Sequence, residues 1–220
     1  VGGSHGKTTI TAMILHVMQQ LGTETDYMVG AKLEGFDVMV KISDAKYMVL
    51  EGDEYLSSPM DLRPKFHLYK PNIAIINGIA WDHINVFPTF DIYVEQFKIF
   101  ADKIEENGSL VYFQDDENIT KIANNARADI KKFPYKELSE DLAKQYPLKI
   151  FGKHNLINLS AAMIALEQIG IKNEDFLKAI QSFKGASKRL ELIAETPTQA
   201  FYTDFAHSPS KLKATVEAMK

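Results

Sequence analysis

Apolar and polar residues recur along the chain with spacings that predict alternating helices and strands. Apolar residues at helical spacing predict a first helix over residues 7–21, which Gly22 ends. The same spacing predicts helices over residues 89–103, 115–127, 154–169 and 173–183, and a last helix that begins near Ser208-Pro209 and continues to Lys220.

Two apolar runs, residues 47–50 and 73–76, contain no charged residue. Runs of this length without alternation are typical of parallel strands that are buried on both faces. Other patterns predict strands at residues 27–29, 37–42, 109–113, 130–133, 190–194 and 200–203. Because strands and helices alternate, we predict an α/β fold in which helices flank a mostly parallel sheet.

A glycine-rich segment, Gly3-Ser4-His5-Gly6-Lys7-Thr8-Thr9, leads directly into the first predicted helix. Glycines let backbone N–H groups wrap around phosphate oxygens, and the positive end of the helix points at the same anion. Lys7 would then reach the β- and γ-phosphates of a nucleotide, and the Thr8 hydroxyl would bind Mg²⁺. Val1 stands where the full G-x-x-x-x-G-K-[ST] pattern has glycine, so a helix-capping turn is the alternative.

Acidic residues follow the first of the two apolar runs, in Glu51-Gly52-Asp53-Glu54-Tyr55. Ligands of open α/β sheets bind at the carboxyl ends of the strands, and a cation that bridges phosphates prefers oxygen ligands. Glu51, the first residue after the run, is therefore the predicted metal ligand. The alternative is a solvated turn that happens to be acidic.

The second apolar run is followed by the string from Asn77 to Asn85, which contains Asp82 and His83 side by side. These two side chains could supply a carboxylate and an imidazole to a second metal or to a developing acyl phosphate. A turn with a satisfied histidine is the alternative. The string is the third polar cluster at the same sheet edge, which favours a binding or catalytic site over a simple turn.

Composition excludes several classes of function. A net charge of -4, from 25 basic and 29 acidic residues, gives no overall basic field for nucleic acid. The absence of cysteine excludes disulfides, thiolate metal sites and a cysteine nucleophile, and it fits a reducing cytoplasm. No apolar run approaches the ~20 residues that cross a bilayer. We therefore expect a cytoplasmic protein without membrane insertion.

Six blocks in order along the chain resemble the central ATPase domain of the Mur ligase family. They are Gly3-x-x-Gly6-Lys7-Thr8, Glu51 after its strand, the string from Asn77 to His83, the helix start from Gly152 to Asn158, Lys188-Arg189-Leu190, and the junction from Asp204 to Pro209. The blocks extend over almost the whole chain, so together they are far more specific than any one alone.

The resemblance implies a reaction and its cofactors. Enzymes of this family use ATP and Mg²⁺ to activate a carboxylate as an acyl phosphate, which an amine then attacks to form an amide bond. Lys7 would stabilise charge on the transferring phosphoryl group. Thr8 and Glu51 would hold one Mg²⁺, and His83 a second.

The later blocks imply further nucleotide contacts. By family analogy His154 and Asn155 contact adenine, Asn158 holds the helix start, Arg189 approaches the γ-phosphate, and Asp204 meets the ribose hydroxyls. Asn155 as a helix N-cap and Asp204 as a turn residue are the alternatives.

Within the family, His5 and the run from Glu51 to Tyr55 resemble the ligases that act on UDP-N-acetylmuramate itself. One such ligase adds L-alanine, and another adds the tripeptide L-Ala-γ-D-Glu-meso-diaminopimelate in peptidoglycan recycling. Tyr55, the string from Asp61 to Phe66, the segment from Arg189 to Leu192, and Phe205 favour the tripeptide ligase. Asn85 departs from the family pattern, which usually has a second aspartate at this position. Several relatives brace the second metal with a lysine, but no position here is assigned to that lysine, and Lys65 is only a guess.

The resemblance also implies a division of the chain. Residues 1–203 would form the central ATP-binding domain without its first strand, because a phosphate loop normally follows a buried strand. Residues 204–220 would be the junction to a truncated C-terminal domain. The domain that grips UDP would precede Val1, and the domain that presents the amine would follow Lys220, so we expect this chain alone to bind nucleotide weakly and not to ligate.

Two functions from other classes remain as alternatives. A switch protein such as a GTPase would share the phosphate loop, but it would need a guanine-selecting N-K-x-D, which Asn77-Gly78-Ile79-Ala80 does not supply. A nucleotide-binding module without chemistry would bind nucleotide independently of Glu51 and His83.

Overall fold

The computed structural model describes residues 1–33, 35–186, 189–206 and 209–219. Its helices are α1 (Lys7–Gln20), α2 (Phe90–Asp102), α3 (Glu117–Asn125), α4 (Glu140–Lys144), α5 (Lys153–Glu167), α6 (Asn173–Ile180) and α7 (Pro209–Ala218). Its strands are β1 (Thr25–Met28), β2 (Val40–Lys41), β3 (Tyr47–Leu50), β4 (Ile73–Ile76), β5 (Ser109–Phe113), β6 (Lys131–Tyr135), β7 (Glu191–Thr196) and β8 (Gln199–Thr203). None of the helices in these ranges is both long and apolar enough to span a bilayer.

Two three-stranded sheets meet through the first two residues of the chain. One sheet has the order β2-β1-β3, with only β2 antiparallel, and the other has the order β4-β5-β6, all parallel. The Gly52 N–H donates to the Val1 carbonyl at 2.7 Å, and the Gly2 N–H donates to the Ile75 carbonyl at 2.8 Å. Val1 and Gly2 therefore lie between β3 and β4 and bring the carboxyl ends of both strands to one edge.

Val1 and Gly2 join the two sheets into one layer. Helices cover both faces of this layer, and each face has its own hydrophobic core. Helices α1, α5 and α6 contribute to one core, and α2 and α3 contribute to the other. Within β4, Ile75 belongs to the first core, whereas Ala74 and Ile76 belong to the second. This burial on both faces explains why the strand is an unbroken apolar run.

Helix α1 begins without a side-chain cap. Its N-cap residue is Gly6, at φ 70°, and no side chain in the described ranges accepts a hydrogen bond at this helix start. By contrast, the Thr89 and Asp116 side chains cap α2 and α3. The N–H groups in the first turn of α1 are therefore available to an anion.

The hairpin of β7 and β8 brings together two segments that are distant in sequence. The strands pair antiparallel from Glu191 with Thr203 to Thr196 with Gln199. Just beyond the open end, the Leu190 N–H donates to Oδ2 of Asp204 at 2.8 Å. The hairpin therefore places Arg189 and Asp204 next to each other.

The predicted elements are present, and β3, β4 and β5 have their predicted ends, whereas the ends of the others are shifted. The strand predicted over residues 37–42 shrinks to Val40–Lys41, because it pairs with β1 alone and is exposed along its length. The strand predicted over residues 130–133 becomes Lys131–Tyr135. The predicted start of the last helix at Ser208 lies outside the described residues, and α7 is described from Pro209.

Gly6 is enclosed, whereas Gly22, which has nearly the same φ angle, lies in open space. Their φ angles are 70° and 69°. A Cβ on Gly6 would collide with the side-chain amides of Asn77 and Asn158, while a Cβ on Gly22 would meet nothing within 4 Å. Alanine substitutions at these two glycines therefore separate the free-energy cost of the backbone angle from the cost of close packing.

We expect Gly22→Ala to lower the free energy of unfolding by about 1 kcal/mol, the cost of a left-handed alanine. Gly6→Ala adds the displacement of two hydrogen-bonded amides, so we expect a loss of about 3 kcal/mol. Urea denaturation of both variants measures the difference. Equal losses would contradict the close packing around Gly6.

Candidate functional site

An open cavity of about 360 Å³ lies at the carboxyl ends of β3 and β4. Its walls come from the loop before α1, the start of α5, the two ends of the hairpin, and α7. Most of the site residues predicted from the sequence line this cavity; these are Ser4, His5, Gly6, Lys7, Thr8, Thr9, Glu51, His83, His154, Asn155, Asn158, Arg189 and Asp204. Gly3 and Asp82, which were also predicted, do not line it. Lys188, of the predicted arginine segment, and His207, of the predicted junction, lie outside the described residues.

Lys7 is held at the base of the cavity by two oxygens. Its Nζ donates to Oε2 of Glu54 at 2.5 Å and to the carbonyl of Gly3 at 2.8 Å. Gly3 does not line the cavity, but its carbonyl oxygen helps to hold the Lys7 ammonium group in place. The Lys7 side chain is 15% exposed and that of Glu54 is 1% exposed, so this ion pair is largely shielded from water.

Glu54 is the acid that the sequence analysis did not select, and it is the most buried of the three in its run. Burial alone would raise the pKa of its carboxyl group, but the charge of Lys7, with contacts from His83 and Lys7, lowers the pKa to about 2. Oε1 of Glu54 is 3.7 Å from Nε2 of His83 and accepts a hydrogen bond from the Tyr93 hydroxyl at 3.3 Å. The interaction with Glu54 raises the pKa of His83.

Tyr93 connects this acid to the phosphate loop. Its hydroxyl lies 2.8 Å from Oγ of Ser4, which also accepts a hydrogen bond from the Ala80 N–H at 3.0 Å. Tyr93 and Ser4 are both buried. A polar chain therefore runs from Glu54 through Tyr93 and Ser4 to the loop after β4.

Thr8 and Glu51, the predicted ligands of one Mg²⁺, lie next to each other. The Thr8 hydroxyl donates to Oε1 of Glu51 at 2.9 Å, and the Gly30 N–H donates to Oε2 at 2.9 Å. Both carboxylate oxygens of Glu51 are therefore oriented by neighbours. This arrangement fits a hard cation, which prefers hydroxyl and carboxylate oxygens.

Asn77 joins the phosphate loop to α5 and β6. Its Nδ2 donates to Oδ1 of Asn158 at 2.9 Å and to the His5 carbonyl at 3.2 Å, and its Oδ1 accepts a hydrogen bond from the Tyr135 hydroxyl. Asn77 and Asn158 are 5% and 4% exposed. Asn158 thus ties α5 to the loop through Asn77, and its predicted role in nucleotide binding stays a prediction.

The alternatives for Asn155 and Asp204 have different outcomes. Asn155 is not the N-cap of α5, because Gly152 occupies that position and the Asn155 side chain donates to the Phe151 carbonyl at 2.8 Å. Asp204 does take part in a turn, since its Oδ1 accepts from the Ala206 N–H at 2.7 Å. Both side chains also line the cavity, and their contacts with adenine and ribose stay predictions.

His154 and Arg189 complete the far wall. Burial lowers the pKa of His154, so its imidazole is neutral near pH 7. The Arg189 guanidinium lies 5.4 Å from the centre of the Phe205 ring, and its Nη1 donates to the Phe205 carbonyl at 3.4 Å. A planar neutral ring and a guanidinium are suitable groups for a base and a phosphate, respectively.

Polar side chains near His83 are paired with one another. Asn85 donates through Nδ2 to the Tyr55 hydroxyl at 3.3 Å, and the Lys65 Nζ is 2.8 Å from Oδ2 of Asp53. Among the residues that the structure describes, no three His, Asp or Glu side chains are grouped to hold a metal. Any cation here would therefore need ligands from a bound phosphate or from water.

Sequence reasoning missed the buried hydroxyls and one lysine of this site. Tyr93 and Tyr135 occupy apolar positions of a helix and a strand, so nothing in the pattern marks their polar ends. Lys211 lines the cavity from α7, which only the folded chain brings there. Glu54 could have been selected, because it belongs to the acidic run after β3.

Comparison with known proteins gives relatives of two kinds. The UDP-N-acetylmuramate–L-alanine ligase of Caldicellulosiruptor bescii is 30% identical over 242 residues, which cover 100% of this chain and 52% of the relative. The UDP-N-acetylmuramate–L-alanyl-γ-D-glutamyl-meso-2,6-diaminoheptandioate ligase of Haemophilus influenzae is 28% identical over 239 residues, with the same coverage. The chain spans about half the length of these curated relatives.

Solved structures share the fold. The murein peptide ligase Mpl of Psychrobacter arcticus matches with a TM-score of 0.74 and 22% identity, over 99% of this chain and 53% of that one. The MurF ligase of Thermotoga maritima in complex with ADP matches with a TM-score of 0.71 and 17% identity, over 98% of this chain and 55% of that one. These structures support the α/β fold with a helix-flanked, mostly parallel sheet.

The family assignment rests on the sequence match to a family model. The model described as the Mur ligase middle domain matches residues 1–166, which is more than half of the chain. That range contains the phosphate loop, the acids after β3 and the Asp82-His83 pair. The chain therefore belongs to the Mur ligase family.

Proposed function

We propose that this chain is the ATP-using part of a ligase that joins the carboxylate of UDP-N-acetylmuramate to an amine. The observation that carries the proposal is the single cavity in which Lys7, Thr8, Glu51 and His83 meet. The names of the relatives support it, because both describe ligases of UDP-N-acetylmuramate.

The phosphate loop would bind the triphosphate of ATP. The uncapped start of α1 offers N–H groups and the positive end of the helix dipole. Lys7 lies at the base of this loop, where its charge would stabilise the γ-phosphoryl group as it leaves ADP. His154, Asn155 and Asp204 line the remainder of the cavity, which is where we propose that the adenosine lies.

The residues present fit a Mg²⁺ ion beside the loop. Thr8 and Glu51 would hold it, since their side-chain oxygens lie 2.9 Å apart. When bound, Mg²⁺ supplies positive charge to the β- and γ-phosphates. His83 would act as a metal ligand only in its neutral form, and Glu54 favours the protonated form, so a second cation would have to displace that proton.

The proposed reaction needs no nucleophilic side chain. The carboxylate of the muramate attacks the γ-phosphorus, and ADP leaves with the electrons of the broken P–O bond. The amine then attacks the resulting acyl phosphate, expels phosphate and loses a proton as the amide forms. The cavity residues would position these groups and stabilise charge on them.

The amine donor that we propose is the tripeptide L-Ala-γ-D-Glu-meso-diaminopimelate, with L-alanine as the alternative. Tyr55 and the segment from Asp61 to Phe66 support the tripeptide by their resemblance to the recycling ligases. The relatives do not separate the two donors, because their identities to this chain are 30% and 28%. Selectivity for the amine would reside in a further domain that follows residues 1–203.

We expect Lys7→Ala to weaken binding of ATP with Mg²⁺ by about 100-fold, because it removes a charge-assisted contact to phosphate. Isothermal titration calorimetry measures the affinity. Lys98→Ala, which removes a lysine from an exposed ion pair with Glu95, is the matched control and should bind as the wild type does. Equal binding by Lys7→Ala and the wild type would refute the loop assignment.

Lys7→Ala also leaves the buried Glu54 carboxylate unpaired, which costs about 3–5 kcal/mol of stability in comparable cases. The double variant Lys7→Ala/Glu54→Gln removes that charge and should restore much of the stability without restoring ATP affinity. Thermal unfolding beside the titrations separates a folding defect from a binding defect.

We expect Glu51→Gln to weaken ATP binding at least about tenfold in Mg²⁺ and less than about twofold in EDTA, because the carboxylate charge serves the cation. Glutamine keeps an acceptor for the Gly30 N–H. The measurement is the ratio of the dissociation constant for ATP in EDTA to that in Mg²⁺. Glu95→Gln is the control. An unchanged ratio would favour a nucleotide-binding module whose acid is only structural.

An assay of the full-length protein tests which amine donor the ligase uses. With UDP-N-acetylmuramate and ATP, we expect release of phosphate when the tripeptide is added. Release only with L-alanine would replace the proposed donor by the alternative, and release with neither would count against ligation of UDP-N-acetylmuramate.

A further inference from the structure

One lysine of the cavity has no part in the function proposed above. Lys211 lies on α7, and its Nζ is 3.2 Å from Oδ2 of Asp82. The two side chains are only 18% and 21% exposed. On the same helix, Lys213 pairs with Glu217, and those side chains are 76% and 60% exposed. Lys211 therefore faces inward, while Lys213 faces solvent.

The face of α7 that carries Lys211 forms one wall of the cavity. Ala214 and Thr215, three and four residues further along, line the cavity as well. Residues at this spacing share one helix face. The Thr215 hydroxyl lies 3.2 Å from Oδ1 of Asp204, which ties this face to the end of the hairpin.

The charge of Lys211 acts on the phosphate loop. Burial lowers the pKa of His5, and the charges of Lys211 and Lys7 lower it further. His5, Lys7 and Lys211 line the same cavity, which therefore holds two ammonium groups, one from α1 and one from α7. An anion held by the loop would be attracted by both.

Asp82 holds Lys211 in place with one of its two oxygens. Oδ1 of Asp82 accepts the His83 N–H at 2.8 Å, and Oδ2 pairs with Lys211. The carboxylate is therefore fixed to the loop after β4 and presents Lys211 at the cavity wall. A lysine side chain is flexible, so its ammonium group can move from this carboxylate to a nearby phosphate.

We propose that Lys211 is a second phosphate-binding lysine, which leaves Asp82 and reaches the polyphosphate chain of the nucleotide from α7 when the nucleotide binds. The inference rests on the proposed nucleotide site and adds a contact from the segment after Asp204.

The test compares ATP with adenosine, which has no phosphate, by ligand-observed NMR titration in Mg²⁺. We expect Lys211→Gln to weaken ATP about tenfold and adenosine less than about twofold, because only phosphate contacts are lost. Lys211→Arg, which keeps the charge, should retain most of the ATP affinity. Lys213→Gln is the matched control from the solvent-facing side of α7 and should leave both affinities unchanged.

Asp82→Asn distinguishes a phosphate contact from a structural tie. It removes a negative charge near the phosphates and keeps the Lys211 ammonium group, so ATP should bind more tightly. If the ion pair only fixes α7 in place, Asp82→Asn and Lys211→Gln should weaken ATP alike, and that result would overturn the proposal. So would equal ATP affinities of Lys211→Gln and the wild type.

Failure of the underlying site gives a different result. If wild type and Lys7→Ala bind ATP equally, the loop assignment itself is wrong. If Lys7→Ala loses binding and Lys211→Gln does not, the nucleotide site stands and only the role of Lys211 is refuted.

Discussion

The site depends on the buried amide of Asn77. A primary amide without hydrogen-bond partners costs free energy in the protein interior, so its surroundings must supply an acceptor and a donor. The Asn158 side chain and the His5 carbonyl accept from its nitrogen, and the Tyr135 hydroxyl donates to its oxygen. These partners come from α5, the phosphate loop and β6. One side chain thus fixes three elements relative to the end of β4, and the nucleotide cavity lies among them.

A second constraint is the balance of charge in the cavity. Lys7 faces Glu54, Lys211 faces Asp82, and Lys65 faces Asp53. Each pairing holds its ammonium group in a defined place. A triphosphate that enters must compete with these carboxylates for the cations. Added positive charge from Mg²⁺ is one way to offset that competition, which agrees with the donor oxygens of Thr8 and Glu51.

Much of the fold could be predicted from the sequence, because double-sided burial leaves a clear pattern. β3 and β4 are found at their predicted residues, and α1 ends one residue earlier than predicted. The ends of β2 could not be predicted, because a two-residue edge strand depends on its pairing with β1 rather than on its own residues. The loop and Glu51 were recognisable by motif and position. Tyr93 and Lys211 were not, because their roles arise from contacts between segments far apart in sequence. Glu54 was recognisable as a candidate from the acidic run after β3, but its burial against Lys7 was not.

The outermost strand of the sheet, β6, has a composition that bears on how the protein behaves at high concentration. Pro134, within this strand, has no N–H to offer to a further strand. Lys131 and Lys132 are exposed at the start of the same strand and would bring like charges together if two copies met edge to edge. The strand therefore closes the sheet on this side, so that the main parallel sheet resists growth into intermolecular β-structure there.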